Sequence, residues 1–344
     1  MSRGSRSLFL LVTAAFLLGL APRPAPAEHS IAATRSLPAT RSLAVTLDDL
    51  PYVHVAALGG DYLSGGRRTT TAILDALEKH RVTAVGFVNE VQLQASGGQT
   101  PATQAVGEAQ ARTALLVQWV DAGMVLGNHT FSHRQLNGAT VAEFQDEIVR
   151  GEAVTRRLMS ARQPYRLYFR HPMTRTGDTL EKKEAIERFL HERGYTIAPH
   201  TIENMDFAFN VAYTAAKRRG DDAQLRRIAD EYLRFTAACT AFAEAISPQV
   251  FGREIPQTLL LHANEINADL LATMLGQLAD RGYRFVTLDE AMADPAYRTK
   301  DTQVSRSGPT WLWRWSRSLG QAVSFNAEPE APEWIMAEYE RLRR

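Results

Sequence analysis

Two short stretches carry residue types that act on polar bonds. In His129-Thr130-Phe131-Ser132-His133 two imidazoles stand four residues apart. On a helical turn that spacing puts both on one face, within reach of one cation at about 2.0 to 2.1 Å. Alone, the pattern is common in chains that bind no metal. The second stretch is Asp48-Asp49, and adjacent acids on a surface usually form a solvated turn. Here the pair follows the apolar run Leu43 to Leu47 and precedes Leu50-Pro51-Tyr52, so it falls where a buried strand ends. Adding Asp49 to the histidines gives two imidazoles and a carboxylate, a donor set that leaves coordination positions open for water and substrate. If one carboxylate binds a metal, the other can accept a proton from water whose pKa the metal lowers to roughly 7.

Such residues need a scaffold that brings distant segments to one place. Strand-like runs at Leu43 to Leu47, Val82 to Val88, Met124 to Gly127, Leu167 to Phe169, Tyr195 to Ala198, Thr258 to Leu261 and Tyr283 to Val286 alternate with helical stretches. Thr140 and Glu143 form a capping-box pattern that opens one of those helices. Strands separated by a dozen or more helical residues pair in parallel. About seven such units predict a barrel, whose chemistry sits at the strands' C-terminal ends. Those ends carry Asp48-Asp49, Asn128-His129, Arg170-His171, then Glu203 and Asp206 after the fifth strand, and His262.

With these residues in place, a resemblance can be stated. Thr46-Leu47-Asp48-Asp49 is similar to the Thr-Phe-Asp-Asp first motif of the polysaccharide deacetylases, carbohydrate esterase family four, and His129 to His133 resembles their second. Arg170-His171-Pro172 resembles the third, Glu203 to Phe207 a loosened fourth, and Leu260-Leu261-His262 the fifth, all in the family's order. The resemblance implies a distorted, incomplete (β/α) barrel of about seven parallel strands and a catalytic domain over residues 43–295. It implies Asp49, His129 and His133 as ligands of one divalent transition metal, zinc first, with cobalt or nickel as substitutes. It implies Asp48 as general base, held by Arg170, and His262 as general acid, oriented by Asp206. The oxyanion would be met by the metal and the Met173 backbone N–H. Tyr52, close in sequence to Asp48 and Asp49, is read as lying behind the site or touching substrate. The implied reaction is removal of N- or O-acetyl groups from an acetylated glycan or a related small amide. An amidase of a non-sugar C–N bond and an inactive glycan-binding protein are the alternatives.

The sequence departs from the family's pattern at Leu47, Met173, Phe207 and Glu203. Met173 and Phe207 stand where the family has Tyr and Trp in the wall of the acetyl pocket, so acetyl as the acyl group comes from the family and not from these side chains. His54 and His171 are read as lying behind the site or touching substrate, and the loop from Asn89 to Gln104 as lying over the catalytic face. His29, His80, His191 and His200 have no partner pattern.

At the N-terminus, Arg3 and Arg6 precede an apolar run from Leu8 to Leu20 and an Ala25-Pro26-Ala27 exit, the order of a signal peptide. Cleavage after Ala27 is expected, with residues 28–42 a linker and the mature protein periplasmic or secreted. Loss of Arg3, Arg6 and Arg23, with no acid in that segment, takes the formal net charge from +1 to −2. A near-neutral chain without a long basic run lacks the electrostatic footprint for nucleic acid. No later segment reads as a membrane span. The only cysteine, Cys239, rules out an internal disulfide and falls on the apolar stripe Leu225, Ile228, Tyr232, Phe235, Cys239, Phe242, Ile246 of a helix, where a thiol acts as a small hydrophobe. Residues 296–344 are expected to pack on the barrel. Trp311, Trp313 and Trp315 would line one side of an extended segment, either fastening it to the domain or stacking on sugar. Trp334, Ile335, Tyr339 and Leu342 form a docking helix.

Overall fold

A computed structural model describes residues 41–95, 102–162 and 164–343. The expected signal peptide and most of the linker lie outside these residues, as do residues 96–101 of the loop expected over the catalytic face. In chain order the larger elements are β1 (Arg41–Leu50), α1 (Tyr62–Lys79), β2 (Val85–Val88), α2 (Ala102–Asp121), β3 (Val125–Asn128), α3 (Val141–Arg150), α4 (Ala153–Met159), β4 (Leu167–Phe169), α5 (Leu180–Glu192) and β5 (Tyr195–Ile197). They continue with β6 (Ile202–Glu203), α6 (Asp206–Arg219), α7 (Asp222–Phe251), β7 (Gln257–His262), α8 (Glu265–Asp280), β8 (Tyr283–Phe285), α9 (Leu288–Met292), α10 (Trp311–Ser318) and α11 (Glu333–Arg343). No helix among the described residues is long and apolar enough to cross a membrane.

The strands form one parallel sheet in the order β5-β4-β3-β2-β1-β7-β6, with β8 also paired to β1. This is the distorted, incomplete (β/α) barrel expected. β5 and β6 follow one another in the chain yet stand at opposite ends of the sheet, so the wall is open between them. Leu43 pairs with Gln257 of β7 and Phe285 of β8, whereas Thr46 pairs with Leu260 of β7 and Val85 of β2. β2 and β8 therefore divide one edge of β1 between them. Leu43 to Leu50 is buried apart from Asp49, because neighbours flank the strand on both edges and helices cover it.

Three expectations need correction. Glu203 belongs to β6, across the sheet from β5, and does not continue β5; a two-residue strand is too short for an alternating pattern to reveal it. The single helix expected after Thr140 is two. Its capping box forms, but Gly151 ends α3, and a Cβ there would lie 2.6 Å from the Thr130 carbonyl carbon and 2.7 Å from Phe131 N. The tryptophans lie on the helix α10 and not on an extended segment. Helical spacing sends Trp311 and Trp315 to the same side, where both are buried, and leaves Trp313 outside with Arg317 over its ring. Trp315 meets Tyr297 and Phe251 edge-on at 5.2 and 5.7 Å, so these rings fasten the extension to the barrel. Ile335 of α11 is fully buried, as a docking helix requires.

Candidate metal centre and acid–base pair

Asp48 and Asp49 are neighbours in β1, and strand alternation would send their side chains to opposite faces. Both instead approach His129 Nε2, Asp48 Oδ2 at 3.7 Å and Asp49 Oδ1 at 3.6 Å. The cause lies in the backbone. Asp49 has φ 63° and the pairing with β2 is irregular between Leu47 and Leu50, so the second carboxylate is turned back beside the first. Asp is among the residues that tolerate this left-handed conformation.

The His129–His133 segment is a loop and not the helical turn expected, with Thr130 at φ 64° and His133 at φ 59°. The rings still lie 5.0 Å apart, because side chains outside the motif fold the loop. Asn128 accepts from Thr130 N at 2.8 Å and donates to the Ile148 carbonyl at 2.8 Å. Glu147, buried on α3, accepts from Ser132 N at 2.7 Å and from Ser132 Oγ at 2.9 Å. Asn89 donates to the His129 carbonyl at 2.6 Å. Sequence reading named Asn128 at its strand end and Asn89 at the start of a loop but gave neither this role, and it missed Glu147, for which an acid on the buried face of an amphipathic helix was the available signal.

His129 Nδ1 lies 2.8 Å from the Arg170 carbonyl, an acceptor that requires N–H there and leaves the Nε2 lone pair facing Asp49 and His133. Burial, with the His133 ring adding to it, pushes the His129 pKa down to about 3, so this imidazole is neutral. Asp49 Oδ1 is buried without a hydrogen-bond donor and lies 3.4 Å from His133 Nε2. One donor atom from each of Asp49, His129 and His133 falls within 4.8 Å of the others. Two imidazoles and an unpartnered carboxylate oxygen fit a divalent metal, and these three residues are the ones that can hold it.

Around this centre the other expected residues take distinct places. Arg170 is fully buried; its Nη2 donates to Thr46 Oγ1 at 3.0 Å and Nη1 lies 3.8 Å from Asp48 Oδ2. Burial lowers its pKa, with Asp48 and Glu203 opposing that shift. His262 stands opposite Asp48 in the β1–β7 register. Its Nδ1 is 2.6 Å from Asp206 Oδ1, and Asp206 Oδ2 accepts from the amide of His262 and the side chains of Asn264 and Asn267. Burial works against the charged ring, but the Asp206 carboxylate outweighs it and raises the His262 pKa to about 10. Phe207 lies edge-on to His262 on one side and to Tyr339 of α11 on the other.

Other candidates fall behind the site. Tyr52 is buried and donates its hydroxyl to Glu265, so it braces α8. His171 packs between Phe144 and Phe169 without a polar partner, a core position. His54 lies 3.1 Å from the Gly59 carbonyl. Met173, half-exposed, sits in a turn with φ 53° beside Thr174 at φ 51°.

Because the His262 pKa is raised on folding, the His262–Asp206 pair stabilises the fold fully below the ordinary histidine value of about 6.5. That contribution falls away as pH rises toward 10. In metal-free protein, the decline in unfolding midpoint over this window should shrink in Asp206→Asn, and imidazole NMR of that variant should show the His262 transition at lower pH. An unmoved transition would mean that Asp206 is not its source.

Together these features define a class, an incomplete (β/α) barrel with an Asp–His–His donor set and a His–Asp pair at its strand ends. Residues 37–188 match the family model described as polysaccharide deacetylase. The matched segment holds Asp48, Asp49, His129, His133 and Arg170 and ends before Asp206 and His262, which join the site on geometry. No curated protein matches the sequence. Among solved structures, PdaA of Bacillus subtilis, a family 4 carbohydrate esterase, is 19% identical over 74% of this chain and 81% of its own, with a TM-score of 0.43. A peptidoglycan N-acetylglucosamine deacetylase is 20% identical over 74% and 89%, TM-score 0.43. A family 4 pseudoenzyme from Bacillus anthracis is 16% identical over 74% and 66%, TM-score 0.44.

Proposed function

We propose that this protein is a metal-dependent hydrolase that removes acetyl groups from an acetylated glycan. The observation that carries the reading is the pairing of an Asp49–His129–His133 donor set with a second carboxylate, Asp48, and an imidazole, His262, on adjacent strands. Asp49, His129 and His133 hold the metal, zinc being the ion that suits two nitrogens and one oxygen. When bound, a divalent metal supplies Lewis acidity, drawing charge from the acyl carbonyl and making water more acidic.

Asp48 takes the proton from the attacking water through Oδ1, which has no other partner. Arg170, with Nη1 3.8 Å from Asp48 Oδ2, holds Asp48 in place. The Met173 N–H donates to the oxygen on which charge develops, an interaction worth about 2.7 to 4 kcal/mol where single donors have been removed. His262, with Nδ1 engaged by Asp206, presents Nε2 to the leaving nitrogen or oxygen and gives it a proton.

Purified protein reconstituted with zinc should release acetate from acetylated chitooligosaccharides, peptidoglycan or O-acetylated xylan, measured as free acetate across such a set. Release only from small non-sugar amides would convert the reading to an amidase. Release from none of them, at full metal content, would end it.

A further inference from the structure

The segment from Lys300 to α10 lies beyond the residues that match the family, yet it encloses the turn that presents Met173. Arg314 of α10 is fully buried and reaches that turn with its guanidinium: Nη2 donates to the Thr174 carbonyl at 2.9 Å and Nη1 to Thr176 Oγ1 at 2.8 Å. The same Nη1 lies 3.2 Å from Asp301, which Lys183 Nζ approaches to 2.7 Å from α5. Thr174 Oγ1 donates to the Gly308 carbonyl at 2.7 Å, and Ser305 N donates to the Gly177 carbonyl at 3.2 Å. At Gly308 the contact is closer than any side chain permits. A Cβ there would stand 2.0 Å from Thr174 Oγ1 and 2.1 Å from the Met173 carbonyl oxygen.

Met173 and Thr174 both hold positive φ, and for a β-branched residue that conformation persists only where surroundings impose it. The surroundings here are the extension, with its planar five-donor fork, its missing Cβ at Gly308 and its backbone. We infer that the C-terminal extension is a working part of the catalytic site, and that Arg314 is a positioning residue which holds the Pro172–Gly177 turn so that the Met173 amide faces the developing oxyanion. The inference rests on the role given to Met173 above.

Arg314→Met leaves Asp301 paired with Lys183, and Gly308→Ala removes no polar side chain; both free the turn. Each should lower kcat by about 10- to 100-fold, the scale on which misplacement of a catalytic donor acts, with KM and metal content unchanged. The loss should be the same on an acetamido sugar and an acetylated phenol, since the oxyanion forms with either. Arg314→Lys keeps the charge beside Asp301 but cannot span Thr174 and Thr176 together, so it should restore thermal stability without restoring kcat. Hydrogen exchange by mass spectrometry should be faster in Arg314→Met at residues 172–177 and unchanged at 125–135.

Unchanged exchange at 172–177 in both Arg314→Met and Gly308→Ala, full rescue by Lys, or faster exchange with wild-type kcat would each overturn the inference. Wild-type protein that releases no acetate would overturn the reading of the site itself, and the exchange result would still decide whether Arg314 holds the turn.

Discussion

His262→Ala should lose about 100- to 10,000-fold in turnover of an acetamido sugar while keeping its full complement of metal. The size depends on the leaving group. An amine must be protonated to depart, whereas an activated phenolate leaves unaided, so the same variant should lose far less on an acetylated phenol. Asp48→Asn should lose a similar 100- to 10,000-fold on both substrates, because water must be deprotonated in either case, and it too should retain metal. The geometry supports this division: Asp49 Oδ1 approaches both ring nitrogens of the histidine pair, whereas Asp48 Oδ2 is shared with Arg170. Equal losses on the two substrates in His262→Ala would remove it as the acid. Metal loss in Asp48→Asn would exchange the roles of the two aspartates.

The second large effect concerns the metal itself. His129→Ala should abolish both metal binding, measured by elemental analysis after dialysis, and acetate release. His129 is the proposed ligand whose tautomer is fixed by the Arg170 carbonyl, and no other imidazole among the described residues comes within 4 Å of both aspartates. Glu147→Ala touches no donor, yet it releases the Ser132 amide and hydroxyl that fold the loop between the histidines. A weakening of metal affinity by about 10- to 100-fold is expected, as for other residues that orient ligands. Zinc titration against a chelating competitor would read both, and wild-type affinity in Glu147→Ala would show that the loop holds its shape without that carboxylate.

The sequence was legible where chemistry depends on residue type at a strand end. Asp48, Asp49, His129, His133, Arg170 and His262 could be brought together because a β/α repeat places such ends on one face, whereas Asp206 came from the resemblance and was read after the fifth strand, although it opens α6 behind β6. What could not be read was backbone conformation. Two histidines four apart satisfy a helix equally well, and only Thr130 and His133 at positive φ distinguish the loop that exists. Likewise nothing in Asp-Asp announces that Asp49 is turned back toward its neighbour. Glu147 and Arg314, and the role of Asn128, escaped because each works largely through backbone groups, whose positions a sequence does not state. The tryptophans of α10 misled for a related reason: a spacing of two fits a strand, but the burial of Trp311 and Trp315 is set by a helix face four residues apart.

The place of β1 governs the order in which the molecule can be completed. Leu43 pairs with Gln257 and Phe285, so the first strand to leave the ribosome waits for segments more than 200 residues behind it. At about 5 to 20 residues per second, the interval is roughly 10 to 40 s. Throughout it a largely buried central strand of the sheet has an unpaired edge along Leu43 to Asp48, the kind of edge that recruits other chains. Contacts of such sequence separation also slow the folding step once the chain is whole. A nascent or prematurely ended chain that stops short of β7 therefore presents this strand bare, and its yield should respond strongly to whatever shields β1 until His262 arrives beside Asp48.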